Sequence, residues 1–222
     1  MGEFMTIQAI LYDNDGTLVD TYDLILSNFQ YATEIVLGTA LPENQLMKKV
    51  GQPLHVQVQD FTNDEALQQQ LLKAYRKHNE ARHLHDIGTF NGVNDMLEAI
   101  SCAHISQAVV TSKRSDVAAA GLEHLGMLHY MDFVVGYDHT SNHKPHPEPI
   151  LFGINKLGYS PAECIYVGDS PFDIKAGNDA GCTTVAVLWG MFGREALFAE
   201  SPDYIIEEPR ELIEIIEKQN SV

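Results

Sequence analysis

Residues 7–17 read IQAILYDNDGT, and this stretch decides the fold. The first six form a short, mostly apolar run rich in strand-forming side chains, which predicts a buried strand. The run stops abruptly at Asp13, Asn14, Asp15, Gly16 and Thr17. Gly16 lets the backbone turn there. The strand therefore opens at its carboxyl end into an acidic loop.

Working outward, the pattern changes at Asp20. Apolar residues recur at helical spacing through Leu24, Ile25, Phe29 and Ala32, then break at Gly38 and Pro42. Further helical segments are expected at residues 46–50, 54–61 and 64–83, with no strand among them. After Asp86, helix and strand alternate. Strands are expected at 107–111 (QAVVT), 133–136 (FVVG), 164–167 (CIYV) and 183–188 (TTVAVL). Helices are expected at 92–100, at 115–125 with Ser115 as N-cap, at 148–157 with Pro147 near the first turn, at 172–180 stopped by Gly181, and at 209–218. Short apolar strands alternating with helices predict an α/β fold. The expectation is a Rossmann-like parallel sheet covered by helices on both faces, built from residues 1–20 and 87–222. An all-α insert spans residues 21–86.

The chain has 222 residues with 14 basic against 31 acidic side chains, a net charge of −17. Such a field repels polyphosphate, so nucleic acid and anionic membranes are excluded as partners. No apolar run reaches the roughly 18 residues of a membrane span. MGEFMT lacks the features of a signal peptide, and Met5 is read as the natural start, with residues 1–4 a cloning remnant. The three cysteines form no C-x-x-C pair, are read as small core residues, and fit a reducing, cytoplasmic setting. A monomer or small homo-oligomer is expected.

Ligands of open parallel sheets bind beyond the carboxyl ends of the strands. Asp13 and Asp15 follow the first strand, Thr111, Ser112, Lys113 and Arg114 the second, and Lys144 lies beyond the third. Asp169 ends the fourth, with Asp173 one helical turn on. Four carboxylates brought close together cannot all stay ionised without a cation. Oxygen ligands favour Mg²⁺. The metal, Lys144, the Thr111 hydroxyl and the following N–H groups would together cradle a phosphoryl group.

These segments resemble the haloacid dehalogenase superfamily of phosphatases. Its D-x-D-G-T signature stands at residues 13–17, its strand-end Thr at Thr111, its Lys before Pro at Lys144, and its G-D-S-x-x-D at residues 168–173. The resemblance implies that Asp13 attacks phosphorus and binds Mg²⁺. Asp15 would protonate the leaving oxygen and then deprotonate water, its backbone carbonyl also binding metal. Asp169 would be a direct ligand, and Asp173 would orient metal-bound water or Lys144. Asn14 departs from the common apolar residue or Cys, and is expected to act through its backbone N–H. Such chemistry needs Asp13 ionised and Asp15 protonated when the ester binds.

The insert is similar to the superfamily's helical cap, with hinges expected at residues 20–22 and 85–89. Gly51, Gln52, Pro53 and Leu54 resemble the G-x-P-L turn of phosphoglycolate phosphatases, and residues 75–79 a matching stretch there and in related pyrophosphatases. Gln52, His55 and Arg76 are the candidate substrate contacts in the cap. The expected activity is hydrolysis of a small phosphorylated metabolite of the phosphoglycolate type. Pyrophosphatase, sugar-phosphate phosphatase or phosphomutase is the alternative. A phospho-acceptor domain is the non-enzymatic one, though a receiver domain is shorter and has no cap. A dehalogenase would need neither Asp15 nor metal, and a phosphonate hydrolase would replace the second Asp by Ala.

Overall fold

The computed structural model describes residues 6–221, so the expectation about residues 1–5 lies outside the described residues. Six parallel strands form one sheet. In chain order they are β1 (Ala9–Tyr12), β4 (Ser106–Val110), β5 (Phe133–Val135), β6 (Cys164–Gly168), β7 (Thr183–Val187) and β8 (Tyr204–Ile206). Their spatial order is β5-β4-β1-β6-β7-β8, which puts β1 between β4 and β6. The order reverses beside β1, the place where such sheets open a crevice.

Alternation along β1 splits its side chains between two cores. Ile10 and Tyr12 face α5 (Val93–Cys102), α6 (Ser115–His124) and α10 (Arg210–Asn220). Ala9 and Leu11 face α7 (Glu148–Leu157) and α8 (Pro171–Ala180). All four are fully buried, and burying a side chain such as Ile10 or Leu11 stabilises the fold by about 1.5–3 kcal/mol. This two-sided burial is why the run reads as continuously apolar.

The insert contains α1 (Tyr22–Leu37), α2 (Glu43–Leu46), α3 (Leu54–Gln57) and α4 (Glu65–Arg82). It has its own apolar cluster, including Phe29, Leu46, Val58 and Leu71. The Phe29 ring lies 5.3 Å from Phe61 and 4.8 Å from Tyr75. Asp64 caps α4 by accepting from the Ala66 and Leu67 N–H groups. A two-residue antiparallel pair, β2 (Val19–Asp20) with β3 (Gly88–Thr89), joins the segments where the chain leaves and re-enters the sheet region.

Four local readings need correction. The helical segment expected at 46–50 stands earlier, as α2: Pro42 takes the N-cap, and residues 47–51 run as bend and turn. Ser115 does not cap α6: Arg114 holds that position, and both the N–H and the hydroxyl of Ser115 donate to Asp138. The cap is thus a carboxylate from a distant loop. Strand β8 was not expected, because three residues between Pro202 and Pro209 carry too little periodicity to register. Cys164 and Cys182 are core residues, but Cys102 is exposed at the end of α5.

His83, just after α4, is buried. Its Nε2 lies 3.1 Å from the Val117 carbonyl, and its Nδ1 has no hydrogen-bond partner among the described residues. Burial, then Lys113, holds its pKa below the ordinary value. A depressed histidine favours the fold when neutral, so its contribution is complete above about pH 6.5 and is lost as pH falls through the folded value. Tm should therefore fall between about pH 7 and pH 5, and His83→Gln should flatten part of that fall. Identical pH slopes for both proteins would remove His83 from the effect.

Candidate active site

Asp13 sits at the end of β1, held there by its N–H donating to the Val167 carbonyl at 2.9 Å. It is 3% exposed. The Lys144 ammonium lies 2.8 Å from Asp13 Oδ1 and 2.6 Å from Asp173 Oδ1. Lys144 comes from the loop before α7 and is also buried. Tyr166, on β6, places its hydroxyl 3.1 Å from the same ammonium.

Asp169 follows β6. Its Oδ1 accepts from the Thr17 hydroxyl at 3.2 Å, and its Oδ2 from the Met191 N–H at 2.7 Å. Gly16 makes this approach possible. Its φ is +84°, and a Cβ there would lie 2.2 Å from Asp169 Oδ2. Any side chain at position 16 would displace the carboxylate. Asp173, in the first turn of α8, has both oxygens engaged. Oδ2 accepts from the N–H and hydroxyl of Ser170, and Oδ1 accepts from Lys144 and Tyr166.

The four carboxylates expected at one point are three. Asp13, Asp169 and Asp173 offer oxygens within 4.8 Å of one another. The Asp15 side chain turns the other way, where Oδ1 accepts from the Thr21 hydroxyl at 2.8 Å and pairs with Lys113 at 2.5 Å. The loop conformation explains this. Asp15 lies two residues beyond Asp13, next to the positive φ of Gly16, and Lys113 supplies a counter-charge on that side.

Charge balance follows from these distances. Three buried carboxylates against one ammonium leave an excess of two negative charges. Burial pushes the Asp13 carboxyl up to about 7; Lys144 opposes the rise, and Asp173 and Asp15 add to it. Asp169 is raised well above the carboxylate range by burial, then by Asp173 and Asp13. Burial alone would lower Lys144, but Asp13 and Asp173 raise it. Burial also works to raise Asp15, yet Lys113 and Thr21 hold it below its ordinary value. An all-oxygen, doubly negative, buried cluster suits a hard divalent cation. Apart from its ion pair with Lys144, Asp13 Oδ1 has no hydrogen-bond partner among the described residues, which leaves it able to meet such an ion.

A cavity of about 160 Å³ lies above Asp13 and Asp15. Thr111 and Ser112 line it from the end of β4; Gln52 and Arg76 line it from the insert. The Ser112 hydroxyl donates to the Gly51 carbonyl at 2.6 Å, tying the insert to the strand ends. The Asn14 carbonyl accepts from the Leu18 and Val19 N–H groups, closing the loop beneath. His55 is not at the cavity wall; its ring packs near Tyr137 and His143 at 6.2 and 5.7 Å. Lys113 is among the strand-end groups expected from sequence, though not as the partner of Asp15; Tyr137, which lines the cavity, and Tyr166 are not expected as site residues. Neither tyrosine carries a sequence signal, since each lies in or just beyond an apolar strand run.

The haloacid dehalogenase-like hydrolase family matches residues 10–187. The chain is 36% identical to a Clostridium perfringens protein named "Putative pyrophosphatase PpaX", over 97% of this chain and 100% of that one. It is 33% identical to a protein named pyrophosphatase PpaX from Oceanobacillus iheyensis, over 96% and 98% of the two chains. The fold matches a solved Haemophilus somnus structure titled "a predicted phosphoglycolate phosphatase" with a TM-score of 0.87, at 24% identity over 94% and 97% of the chains. The chain belongs to the haloacid dehalogenase-like hydrolases and is a phosphatase of that family.

Proposed function

We propose that this phosphatase depends on Mg²⁺ and hydrolyses small phosphorylated metabolites through an aspartyl-phosphate on Asp13. The observation that carries this reading is the Asp13 carboxylate itself. It is buried at the cavity floor, ion-paired to Lys144 and grouped with Asp169 and Asp173.

In the first step an Asp13 oxygen attacks phosphorus, and Asp15 gives its proton to the departing oxygen. In the second, Asp15 takes a proton from the water that attacks the acyl phosphate, which restores Asp13 and releases phosphate. Lys144, the Thr111 hydroxyl and the N–H groups of Asn14 and Ser112 hold the phosphoryl oxygens. Mg²⁺, held by Asp13, Asp169 and the Asp15 carbonyl, would supply positive charge that offsets the repulsion between carboxylate and phosphate. Asp173 acts on Lys144, since its Oδ1 is paired with that ammonium at 2.6 Å.

The first step needs Asp13 ionised and Asp15 protonated, the reverse of the order set by the protein's own charges. Two ligand charges would invert it. A divalent cation favours the Asp13 carboxylate. An anionic group that draws Lys113 from Asp15 leaves Asp15 free to hold a proton.

That second effect bears on the substrate. Lys113, Arg114 and Arg76 all line the cavity of a chain whose net charge is −17. Lys113 is paired with Asp15 and Arg114 with Asp116, so Arg76 is the one of the three placed to meet a leaving group with its own negative charge. Phosphoglycolate fits, and the Gly51–Gln52 turn supports it. Pyrophosphate fits equally, and the names of the two relatives favour it.

A screen of phosphate compounds with Mg²⁺ tests this reading. Pyrophosphate or phosphoglycolate should exceed esters with neutral leaving groups in kcat/KM. Arg76→Leu should lower kcat/KM for the charged compounds about tenfold or more, and for p-nitrophenyl phosphate about twofold or less. Equal losses on both classes would reject the anionic leaving group. A stable phosphoprotein without turnover would reject the enzymatic cycle in favour of a phospho-acceptor.

A further inference from the structure

We infer that Tyr166 is a positioning residue for the hydrolysis: its hydroxyl takes one N–H of Lys144 and holds the ammonium aimed at Asp13 and Asp173. Tyr166 lies in the middle of β6 and is fully buried among Leu11, Ile150 and Ala176. An apolar residue would fill that space without a polar atom. Gly177 leaves room for the ring, since a Cβ there would stand 3.3 Å from Tyr166 Cβ and 2.6 Å from Thr184 Cγ2. The tyrosine therefore brings a hydroxyl into a place where it must find partners.

Those partners converge on the active site from below. The hydroxyl accepts from Lys144 Nζ at 3.1 Å. Its own proton goes to the Val110 carbonyl at 3.1 Å, or to Asp173 Oδ1 at 3.3 Å. Lys144 has three N–H bonds on a flexible four-carbon stem. One meets Asp173 Oδ1 at 2.6 Å, while Asp13 Oδ1 stands 2.8 Å from the nitrogen as an ion pair without a well-directed hydrogen bond. The second has the Tyr166 oxygen at 3.1 Å, and the last has only the Val110 carbonyl at a poorer 3.4 Å, which leaves it able to turn to the phosphoryl group. The ring also lies against the ammonium, 5.8 Å from nitrogen to centroid. Three directions out of one line fix the nitrogen in space, whereas the two carboxylates alone leave it free to swing about the line joining them.

The test is Tyr166→Phe, which keeps the ring and removes only the hydroxyl, combined with Lys144→Met. With p-nitrophenyl phosphate and Mg²⁺, Tyr166→Phe should lower kcat about tenfold and shift KM by less than about twofold. In the Lys144→Met background the same change should cost nothing further. Wild-type kcat in Tyr166→Phe, or an equal loss in both backgrounds, would overturn the inference. A readout independent of turnover is the ¹H–¹⁵N signal of the Lys144 ammonium. It should be resolved at neutral pH in the wild type and broaden in Tyr166→Phe; an unchanged signal would also overturn the inference. That spectrum remains decisive even if Asp13 proves not to be the nucleophile.

Discussion

Asp13→Asn is expected to lower kcat for p-nitrophenyl phosphate by at least about 10⁴-fold, because removal of a covalent nucleophile leaves only binding and electrostatics. The substitution keeps the shape of the side chain and its place at the end of β1. Stability should move the other way. The Asp13 carboxyl is raised to about 7 by burial. A carboxyl with a raised pKa favours the fold when protonated, so its ionised form costs stability as pH rises through the folded value. At about pH 8, Asp13→Asn should therefore unfold at the wild-type temperature or above it. A large loss of activity accompanied by a large fall in Tm would mean that the variant had failed as a structure, not as a catalyst.

Complete chelation of divalent metal should abolish turnover, and added Mg²⁺ should restore it. The physical reason is the excess of two negative charges among Asp13, Asp169, Asp173 and Lys144. Binding should also be visible without activity. Mg²⁺ at about 100 times its Kd should stabilise the native state by about 2.7 kcal/mol and raise Tm by several degrees. Asp169→Asn should lose most of that rise, because it removes a carboxylate whose other contacts are the Thr17 hydroxyl and the Met191 N–H. Full activity after metal removal, or an equal rise of Tm in Asp169→Asn, would contradict the proposed metal site.

Much of the fold was legible because the local signals were strong. Residues 9–12 are buried on both faces of the sheet, so their apolar character has no gaps. The insert announced itself by a change of period after Asp20. Thr111, Lys144, Asp169 and Asp173 could be grouped because each follows a strand, and the parallel sheet brings those ends to one edge. What escaped notice depended on contacts between distant segments. Nothing near Ser115 says that Asp138, 23 residues later, will take over the cap. Nothing in the D-N-D-G-T loop says that Asp15 will turn to Lys113 and Thr21. The hydroxyl of Tyr166 hides inside a strand that reads as plain core. His55 shows the opposite failure: it lies in a suggestive turn, yet its ring sits near Tyr137 and His143 and does not itself line the cavity.

The most direct measurement is to quench the enzyme in acid during turnover of p-nitrophenyl phosphate and map the products by mass spectrometry. Asp15→Asn should be run alongside, since loss of the base for the second step should let the intermediate accumulate. The prediction is one phosphoryl group on the peptide containing Asp13, attached to Asp13 itself and absent from Asp13→Asn. A rapidly hydrolysing enzyme that carries no phosphoryl group on that peptide in either protein, or carries it elsewhere, would contradict Asp13 as the nucleophile.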